Sequence, residues 1–323
     1  MKKQLQAWKL ISQSLLQNIP VMLMYVLQSA GSSPGRRGFF MAVNANGEME
    51  GSIGGGIMEH KFVEMAKEKL KAAVHELSLR KQVHDKRVAK DQSGMICSGE
   101  QMILLYTIDE SDQPYIDHII SSLEQHKIGL LSLSPGGLKF SNDVIPSENF
   151  VFSYTSEENW LYEEKVGYKN NLHIVGGGHC SLALAKIMSM MDFYIHLYDD
   201  RPALNTFHQN DHVHEKTVVD DYNKLRDLIP SGDNEYVVVM TFGYRTDDIV
   251  IRALLNKQFK YIGVLGSMSK MNKMFSDYKI EGIGDEQLKK IYSPIGLPIN
   301  SQTPEEIAIS IAAEIIRVKN EAK

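Results

Sequence analysis

Apolar residues in the first half of the chain recur at both helical and strand spacing. Leu5, Trp8, Ile11 and Leu15 repeat every three or four positions, which predicts an amphipathic helix that ends at Pro20. Helical spacing returns after residue 56 and again at residues 115–123. Short apolar runs predict strands at residues 21–28, 39–43, 74–79, 101–107 and 128–132. This mixture has no repeating order, and it predicts an α+β domain.

Apolar and helical segments alternate regularly from residue 172 onward. Strands are predicted at residues 172–175, 194–198, 236–240 and 261–265, and helices at residues 181–191, 222–229, 247–255 and 305–318. Continuous apolar strands that alternate with helices are typical of a doubly wound parallel sheet. The polar stretch at residues 159–171 is the predicted joint between the two patterns. We therefore expect an N-terminal α+β domain (residues 1–168) and a C-terminal Rossmann-type α/β domain (residues 169–323).

Length and composition narrow the classes of protein that fit. The 323 residues exceed what one hydrophobic core usually fills, which agrees with two domains. The formal charge of −5 removes the electrostatic basis for general nucleic-acid binding. Neither a membrane span nor the apolar stretch of a signal peptide is apparent in the sequence. Because only Cys97 and Cys180 are present, a four-cysteine zinc site and a disulfide framework are excluded, and we expect a cytoplasmic protein.

A glycine loop at residues 176–178 lies between a predicted strand and a predicted helix. Gly176 and Gly178 match the first two glycines of G-x-G-x-x-G, and Ser181 takes the third position. Asp199 ends the next strand, where dinucleotide-binding folds place a ribose-binding carboxylate. Free N–H groups at the helix N-terminus favour a phosphate, which makes NAD(P) one candidate ligand. Alternatively, the glycines only let the helix pack closely on the sheet.

Three further side chains beside this loop have two interpretations each. His179 could donate to a phosphate, or it could simply be a polar residue at the helix N-terminus. Cys180 fits a small packed residue better than a nucleophile. Arg201 follows Asp199 and Asp200, and it could help to bind ribose and an anion, or form a local ion pair of little energetic value.

A second glycine loop, at residues 51–56, precedes a predicted helix. Three consecutive glycines suit a site where several N–H groups converge on an anion. The turn at residues 31–37 adds hydroxyl groups and two guanidinium groups, which can clamp a phosphate. Two glycine turns beside a solvated arginine pair would also explain this pattern. The candidate anion-binding residues are Ser32, Arg36, Arg37, Ser52, Gly54, Gly55 and Gly56.

Cys97 lies at a predicted junction between a loop and the strand that begins at residue 101. A thiolate at such a position is a soft ligand suited to a soft metal centre. A structural cysteine before a buried strand is the alternative.

The motifs of both halves, in this order, resemble those of the XdhC/CoxI family. The N-terminal segments that carry the resemblance are residues 31–34, 51–56 with Glu59, and 97–99. The C-terminal segments resemble the family's Rossmann domain, and they are residues 176–179, 198–202, 263–267, 293–297 and 303–308. The family comprises maturation factors for molybdenum hydroxylases such as xanthine dehydrogenase. Its members bind molybdenum cofactor, protect it during sulfuration and pass it to the apo-enzyme.

This resemblance implies an accessory factor rather than an enzyme. It implies that molybdenum cofactor (molybdopterin) is held between the domains by both glycine loops, and that Cys97 contacts the molybdenum or its sulfur. The implied partners are an apo molybdenum hydroxylase, a sulfur donor of the cysteine desulfurase type and a second copy of the chain. The implied cofactor-binding residues of the C-terminal domain are Gly176, Gly178, His179, Asp199 and Arg201.

The sequence departs from the family pattern at two places. Ile57 stands where many relatives have a cysteine, and residues 241–248 lack the histidines that many relatives carry. There, Arg245 and Asp248 could still face the crevice beyond the strand ends. Alternatively, the segment is only a helix N-terminus, where Asp247 and Asp248 favour the helix dipole. Two other hypotheses stay open: an NAD(P)-dependent oxidoreductase that uses the 176–178 loop, and a structural partner that binds no small molecule.

Overall fold

The computed structural model describes residues 2–83, 99–145 and 147–321, so Cys97 lies outside the described residues. The chain forms two compact units, Met1–Gly167 and Tyr168–Lys323. The predicted fold class is confirmed, because an α+β unit is followed by an α/β unit with a parallel sheet. Within the described ranges, no helix is both long and apolar enough to cross a membrane.

The described residues of the N-terminal unit form three α-helices and nine strands. The helices are α1 (Lys2–Leu16), α2 (Gly56–Lys71) and α3 (Gln113–Glu124). The strands are β1 (Val21–Gly31), β2 (Phe40–Asn44), β3 (Met49–Gly51), β4 (Leu77–Val83), β5 (Gly99–Ile108), β6 (Gly129–Ser134), β7 (Gly137–Ser141), β8 (Phe150–Ser156) and β9 (Asn159–Val166). They form two antiparallel sheets, with strand orders β3-β2-β1-β5-β4 and β7-β6-β9-β8.

Strand β1 is apolar throughout its first seven residues because both of its faces are covered. Leu23 and Tyr25 belong to a core cluster that also holds residues of α1, α3 and the second sheet. Met22 and Met24 point to the opposite face and pack with residues of α2. Since successive strand residues alternate between faces, a strand buried on both sides carries an unbroken apolar run.

The polar stretch at residues 159–171 is mostly strand and contains the boundary between the two units. Most of it is strand β9, in which Trp160 and Tyr162 are buried and the residue between them is exposed. Glu164 is also buried, and its carboxylate accepts hydrogen bonds from the Tyr25 hydroxyl (2.6 Å) and the Tyr162 hydroxyl (2.8 Å). The boundary between the two units, after Gly167, lies within this stretch, but most of the stretch is a strand whose polar composition resembles that of a loop.

The C-terminal unit is a six-stranded, fully parallel sheet with helices on both faces. Its strands are β10 (Asn170–Val175), β11 (Phe193–Asp199), β12 (Glu215–Val218), β13 (Gly232–Val239), β14 (Phe259–Val264) and β15 (Ile291–Tyr292). Its helices are α4 (His179–Met188), α5 (Asn205–His208), α6 (Leu225–Leu228), α7 (Tyr244–Leu254), α8 (Met268–Ile280), α9 (Asp285–Leu288) and α10 (Pro304–Asn320).

The strand order, β12-β11-β10-β13-β14-β15, places a topological switch point between β10 and β13. One core cluster joins the sheet to α4 and α10, and another joins the opposite face to α7 and α8. Ligands of open parallel sheets bind in the crevice outside the carboxyl ends of the strands at such a switch point.

Candidate functional site

The 176–178 loop follows β10 directly at the switch point. Gly176 has a φ of +112°, and a Cβ atom there would lie 2.2 Å from the carbonyl oxygen of Met240, at the end of β13. A Cβ atom at Gly178 would meet nothing within 4 Å. Gly178 is the N-cap of α4, and the exposed His179 is the first residue of that helix. The loop therefore keeps an open face at the N-terminus of α4.

Asp199 ties this loop to the end of β11. Its buried carboxylate accepts a hydrogen bond from the Gly177 N–H (2.6 Å). The Arg201 guanidinium donates one hydrogen bond to each carboxylate oxygen, through Nε (2.8 Å) and Nη2 (2.7 Å). Burial acts to raise the pKa of the Asp199 carboxyl, but the hydrogen bonds from Arg201 and Gly177 outweigh it and lower the pKa. The carboxylate thus holds the loop and Arg201 in place, and its acceptor capacity is used within the protein.

The candidates of the C-terminal unit therefore lie together. Gly176, Gly178, Asp199 and Arg201 meet at the carboxyl edge of the sheet, with His179 exposed beside them. Ser181 also lies in the first turn of α4, and its buried hydroxyl has no hydrogen-bond partner in the part of the chain that the structure describes.

A second buried carboxylate at the same edge was not identified from the sequence. Asp247, in the first turn of α7, accepts hydrogen bonds from the Thr241 N–H (3.1 Å) and the Thr241 hydroxyl (2.5 Å). It also pairs with the ammonium group of Lys270, which donates to the carbonyl oxygen of Leu265 at 3.3 Å. The pair joins segments 23 residues apart in sequence, so only the order of the parallel strands could have indicated it.

Two neighbouring carboxylates in the segment at residues 241–248 point in different directions. Asp247 faces the strand ends, whereas Asp248 forms an ion pair with Arg252 (3.0 Å), one helical turn later on the surface of α7. Of its two interpretations, Asp248 therefore follows that of a residue near a helix N-terminus, because the helical rotation of α7 turns it toward Arg252. Arg245 lies in the first turn of α7, and Phe242 is 87% exposed.

In the N-terminal unit, the 51–56 loop does gather N–H groups around an anion, and that anion is Glu59. The Glu59 carboxylate accepts hydrogen bonds from the Ile53 N–H (2.9 Å), the Gly55 N–H (2.9 Å) and the Ser52 hydroxyl (2.7 Å). Gly54, Gly55 and Gly56 all have positive φ angles, which explains the three consecutive glycines. An acidic residue within the first turns of a helix is the sequence signal for this arrangement.

The 31–37 turn packs directly against this loop. A Cβ atom at Gly35 would lie 2.0 Å from the carbonyl oxygen of Ile53, and the Gln101 side chain donates to the Gly35 carbonyl oxygen at 2.9 Å. The two arginines take different partners. Arg36 donates to the Gly31 carbonyl oxygen at 3.1 Å, and the Arg37 guanidinium lies 6.0 Å from the centre of the Phe150 ring. Ser32 is exposed.

Of the two cysteines, Cys180 is among the described residues and Cys97 lies outside them. Cys180, the second residue of α4, is half-buried against the core, and burial, followed by the negative charge of Glu305, raises the pKa of its thiol. Across the described ranges, no cluster of three or more His, Cys, Asp or Glu side chains could hold a metal ion.

Comparison with known families matches both units. A model of the XdhC and CoxI family matches residues 14–79, and a model of the XdhC Rossmann domain matches residues 172–315. The two matches lie in the order of the chain and together span about two thirds of it. The chain belongs to the XdhC and CoxI family. The resemblance that the motifs predicted is thereby confirmed.

Two curated proteins are similar to the chain at low sequence identity. The chain is 24% identical over 310 residues to the uncharacterized protein YqeB of Escherichia coli (strain K12), in a match that covers 95% of this chain and 45% of that protein. It is 28% identical over 162 residues to a probable xanthine dehydrogenase subunit of Bacillus subtilis (strain 168), covering 49% of this chain and 46% of that protein. The chain thus spans about half the length of the curated relatives that it matches.

A solved structure matches over nearly the whole chain. It is a crystal structure of a protein described as a xanthine dehydrogenase, from Bacillus halodurans. The TM-score is 0.71 at 25% identity, and the match covers 98% of this chain and 97% of the other. The XdhC-type fold therefore extends through both units of this chain.

Proposed function

We propose that this protein is an accessory factor that binds molybdenum cofactor, protects it during sulfuration and delivers it to a molybdenum hydroxylase of the xanthine dehydrogenase type. The observation that carries the proposal is the match of both family models, in order, to the two units. Membership of the XdhC and CoxI family supports an accessory role for such an enzyme. The relatives named as xanthine dehydrogenases support association with a molybdenum hydroxylase. The proposal also includes a sulfur donor of the cysteine desulfurase type and a homodimer of this chain.

The proposal assigns the phosphate of the cofactor to the 176–178 loop. The first-turn N–H groups of a helix have no acceptor within the helix, and the helix dipole favours an anion there. Gly178 leaves this end of α4 open, and Arg201 keeps further N–H groups beyond the two that Asp199 engages. At the 51–56 loop, by contrast, Glu59 already supplies the negative charge, so a second anion would be repelled.

Cofactor binding is tested directly with the purified protein. Molybdenum cofactor released from a molybdoenzyme is mixed with the protein, and molybdenum and pterin are measured in the protein fraction after gel filtration. We expect both to co-elute with the protein, and the complex to activate an apo-hydroxylase. Tight binding and oxidation of NADH without co-eluting pterin would overturn the proposal in favour of an NAD(P)-dependent oxidoreductase. A protein that binds neither ligand would fit a purely structural partner.

The two cysteines provide a matched pair of variants for the same assay. The family resemblance makes Cys97 the proposed contact of the molybdenum or its sulfur, whereas the raised pKa of Cys180 keeps that thiol protonated and a poor metal ligand. Cys97→Ala should reduce cofactor retention or delivery by about tenfold or more, since loss even of groups that only support a metal ligand often costs that much. Cys180→Ala should retain the parent's binding. Equal retention in the two variants would remove Cys97 from the proposed site.

A further inference from the structure

Phe242 is the most exposed large apolar side chain among the described residues, at 87%. It follows β13, so it lies at the carboxyl edge of the parallel sheet, on the side of the switch point opposite the 176–178 loop. A Cβ atom at Gly176 would lie 2.9 Å from the backbone nitrogen of Thr241, the residue before Phe242. The ring is therefore carried by a turn that directly abuts the glycine loop.

This turn is firmly held on both sides of the ring. Thr241 donates to the buried Asp247 through its N–H and its hydroxyl. Gly243 donates its N–H to the hydroxyl of Thr246 at 3.2 Å. The hydrogen bonds of Thr241 and Gly243 therefore anchor the backbone that carries the exposed Phe242 ring.

The ring also has a fixed planar neighbour. The Arg201 guanidinium lies 5.8 Å from the centre of the Phe242 ring, and its two hydrogen bonds to Asp199 fix its orientation. The same carboxylate accepts from the Gly177 N–H. The Asp199–Arg201 pair therefore contacts the glycine loop on one side and lies near the aromatic ring on the other.

We propose that Phe242, flanked by Arg201, is a stacking surface for the planar ring of a phosphorylated nitrogen heterocycle whose phosphate lies at the 176–178 loop. The inference rests on the proposed function for the phosphate position. Aromatic side chains stack on heterocyclic bases largely independently of the identity of the base, and guanidinium groups favour the same planar partners. A pterin cofactor and a nucleotide share this chemistry, so both are tested.

Three variants separate stacking from other effects. Phe242→Leu keeps an apolar side chain but removes the aromatic face, and Phe242→Tyr keeps the face. Ile280→Ala changes another exposed apolar residue, 82% exposed, at the far end of α8. At a rise of 1.5 Å per residue, that end lies about 18 Å along the helix from the carboxyl edge. Dissociation constants are measured by equilibrium dialysis with AMP and with molybdenum cofactor, on proteins shown by thermal unfolding to be folded.

For whichever probe binds, we expect Phe242→Leu to raise the dissociation constant by at least about fivefold, the lower end of the effect of losing one base–aromatic stack. Phe242→Tyr and Ile280→Ala should stay within about twofold of the parent. Ring-dependent binding of AMP alone would support the inference while overturning the proposed function. Cofactor binding that Phe242→Leu leaves unchanged would overturn the inference and leave the proposed function standing. Binding of neither probe would overturn the inference.

Discussion

At the scale of single residues, Gly176 and Gly178 lie two positions apart but meet different environments. Gly176 combines a φ of +112° with a close approach to the Met240 carbonyl oxygen, so both its backbone conformation and the space around it require glycine. Gly178 has a φ of −74°, and a side chain there would meet open space. The first glycine serves the packing of β10 against β13, and the second keeps the end of α4 accessible.

The contrast predicts different costs for the same substitution. Gly176→Ala should lower the free energy of unfolding of the C-terminal unit by about 2 kcal/mol or more, because the new methyl group adds a backbone clash to a strained φ. Gly178→Ala should cost less than about 1 kcal/mol, since alanine is only a somewhat poorer N-cap. Urea unfolding followed by circular dichroism measures both. Equal shifts of the two midpoints would contradict this account of the loop.

Some residue roles followed from the sequence and others required the fold. The glycine requirement at Gly176 was predictable because its motif is local. The pairing of Asp247 with Lys270 was not, because it depends on which strands are neighbours. The 51–56 loop was recognised as an anion-binding arrangement, but its anion, Glu59, belongs to the chain itself. A sequence pattern indicates that N–H groups converge without saying what they converge on.

At the scale of elements, β10 and β11 carry a stacked histidine pair. His173 and His196 are register partners in the parallel ladder, and their rings stack with centroids 4.5 Å apart. Each ring has its own carboxylate, Glu235 for His173 (2.7 Å) and Glu215 for His196 (3.0 Å). Burial, followed by the neighbouring His173, lowers the pKa of His196 despite these carboxylates. The neutral form of His196 is therefore favoured in the folded protein.

This arrangement predicts a pH dependence of stability. Because the folded-state pKa of His196 lies below the unfolded value of about 6.5, the unfolded state binds more protons, and stability is lost as the pH falls below about 6.5. His196→Phe keeps a stacking ring but cannot titrate, so its unfolding midpoint should fall less between about pH 7.5 and about pH 5. Urea midpoints at several pH values measure the slope. The control is His60→Phe, at an exposed position of α2, which should keep the parent's dependence of the midpoint on pH. The prediction would be contradicted if the midpoints of His196→Phe and of the parent fell equally with pH.

Elements with strong local signals were predictable, and elements defined by pairing were not. Helix α10 begins with the predicted capping box, in which Thr303 accepts from the Glu306 N–H and Glu306 accepts from the Thr303 N–H, both at 3.2 Å. Strand β9 was not predicted because its composition is polar although Glu164 and Lys165 are buried, and its pairing with β6 and β8 depends on the fold. The predicted helix at residues 222–229 is a 3₁₀ turn followed by the short α6.

At the scale of the whole molecule, each unit contains its own cores. Among the residues that the structure describes, two core clusters consist of residues of the N-terminal unit, and two consist of residues of the C-terminal unit. In the C-terminal unit, α10 packs against α4 on one face of the sheet and contributes Ile311 and Ile315 to the core. The strand–helix alternation predicted this organisation, because a doubly wound sheet covers both of its faces with its own helices.

The closed cores predict that residues 168–323 fold without the rest of the chain. This fragment should unfold cooperatively in urea, with an m-value roughly half that of the full chain, because m scales with the surface that unfolding exposes. A shorter fragment, residues 168–301, lacks α10 and leaves the apolar face of α4 uncovered, so it should bind a hydrophobic dye and unfold without a sharp transition. Circular dichroism and dye fluorescence compare the two fragments. A molten 168–323 fragment would mean that its cores depend on the N-terminal unit, and a cooperative 168–301 fragment would mean that α10 is dispensable for the sheet.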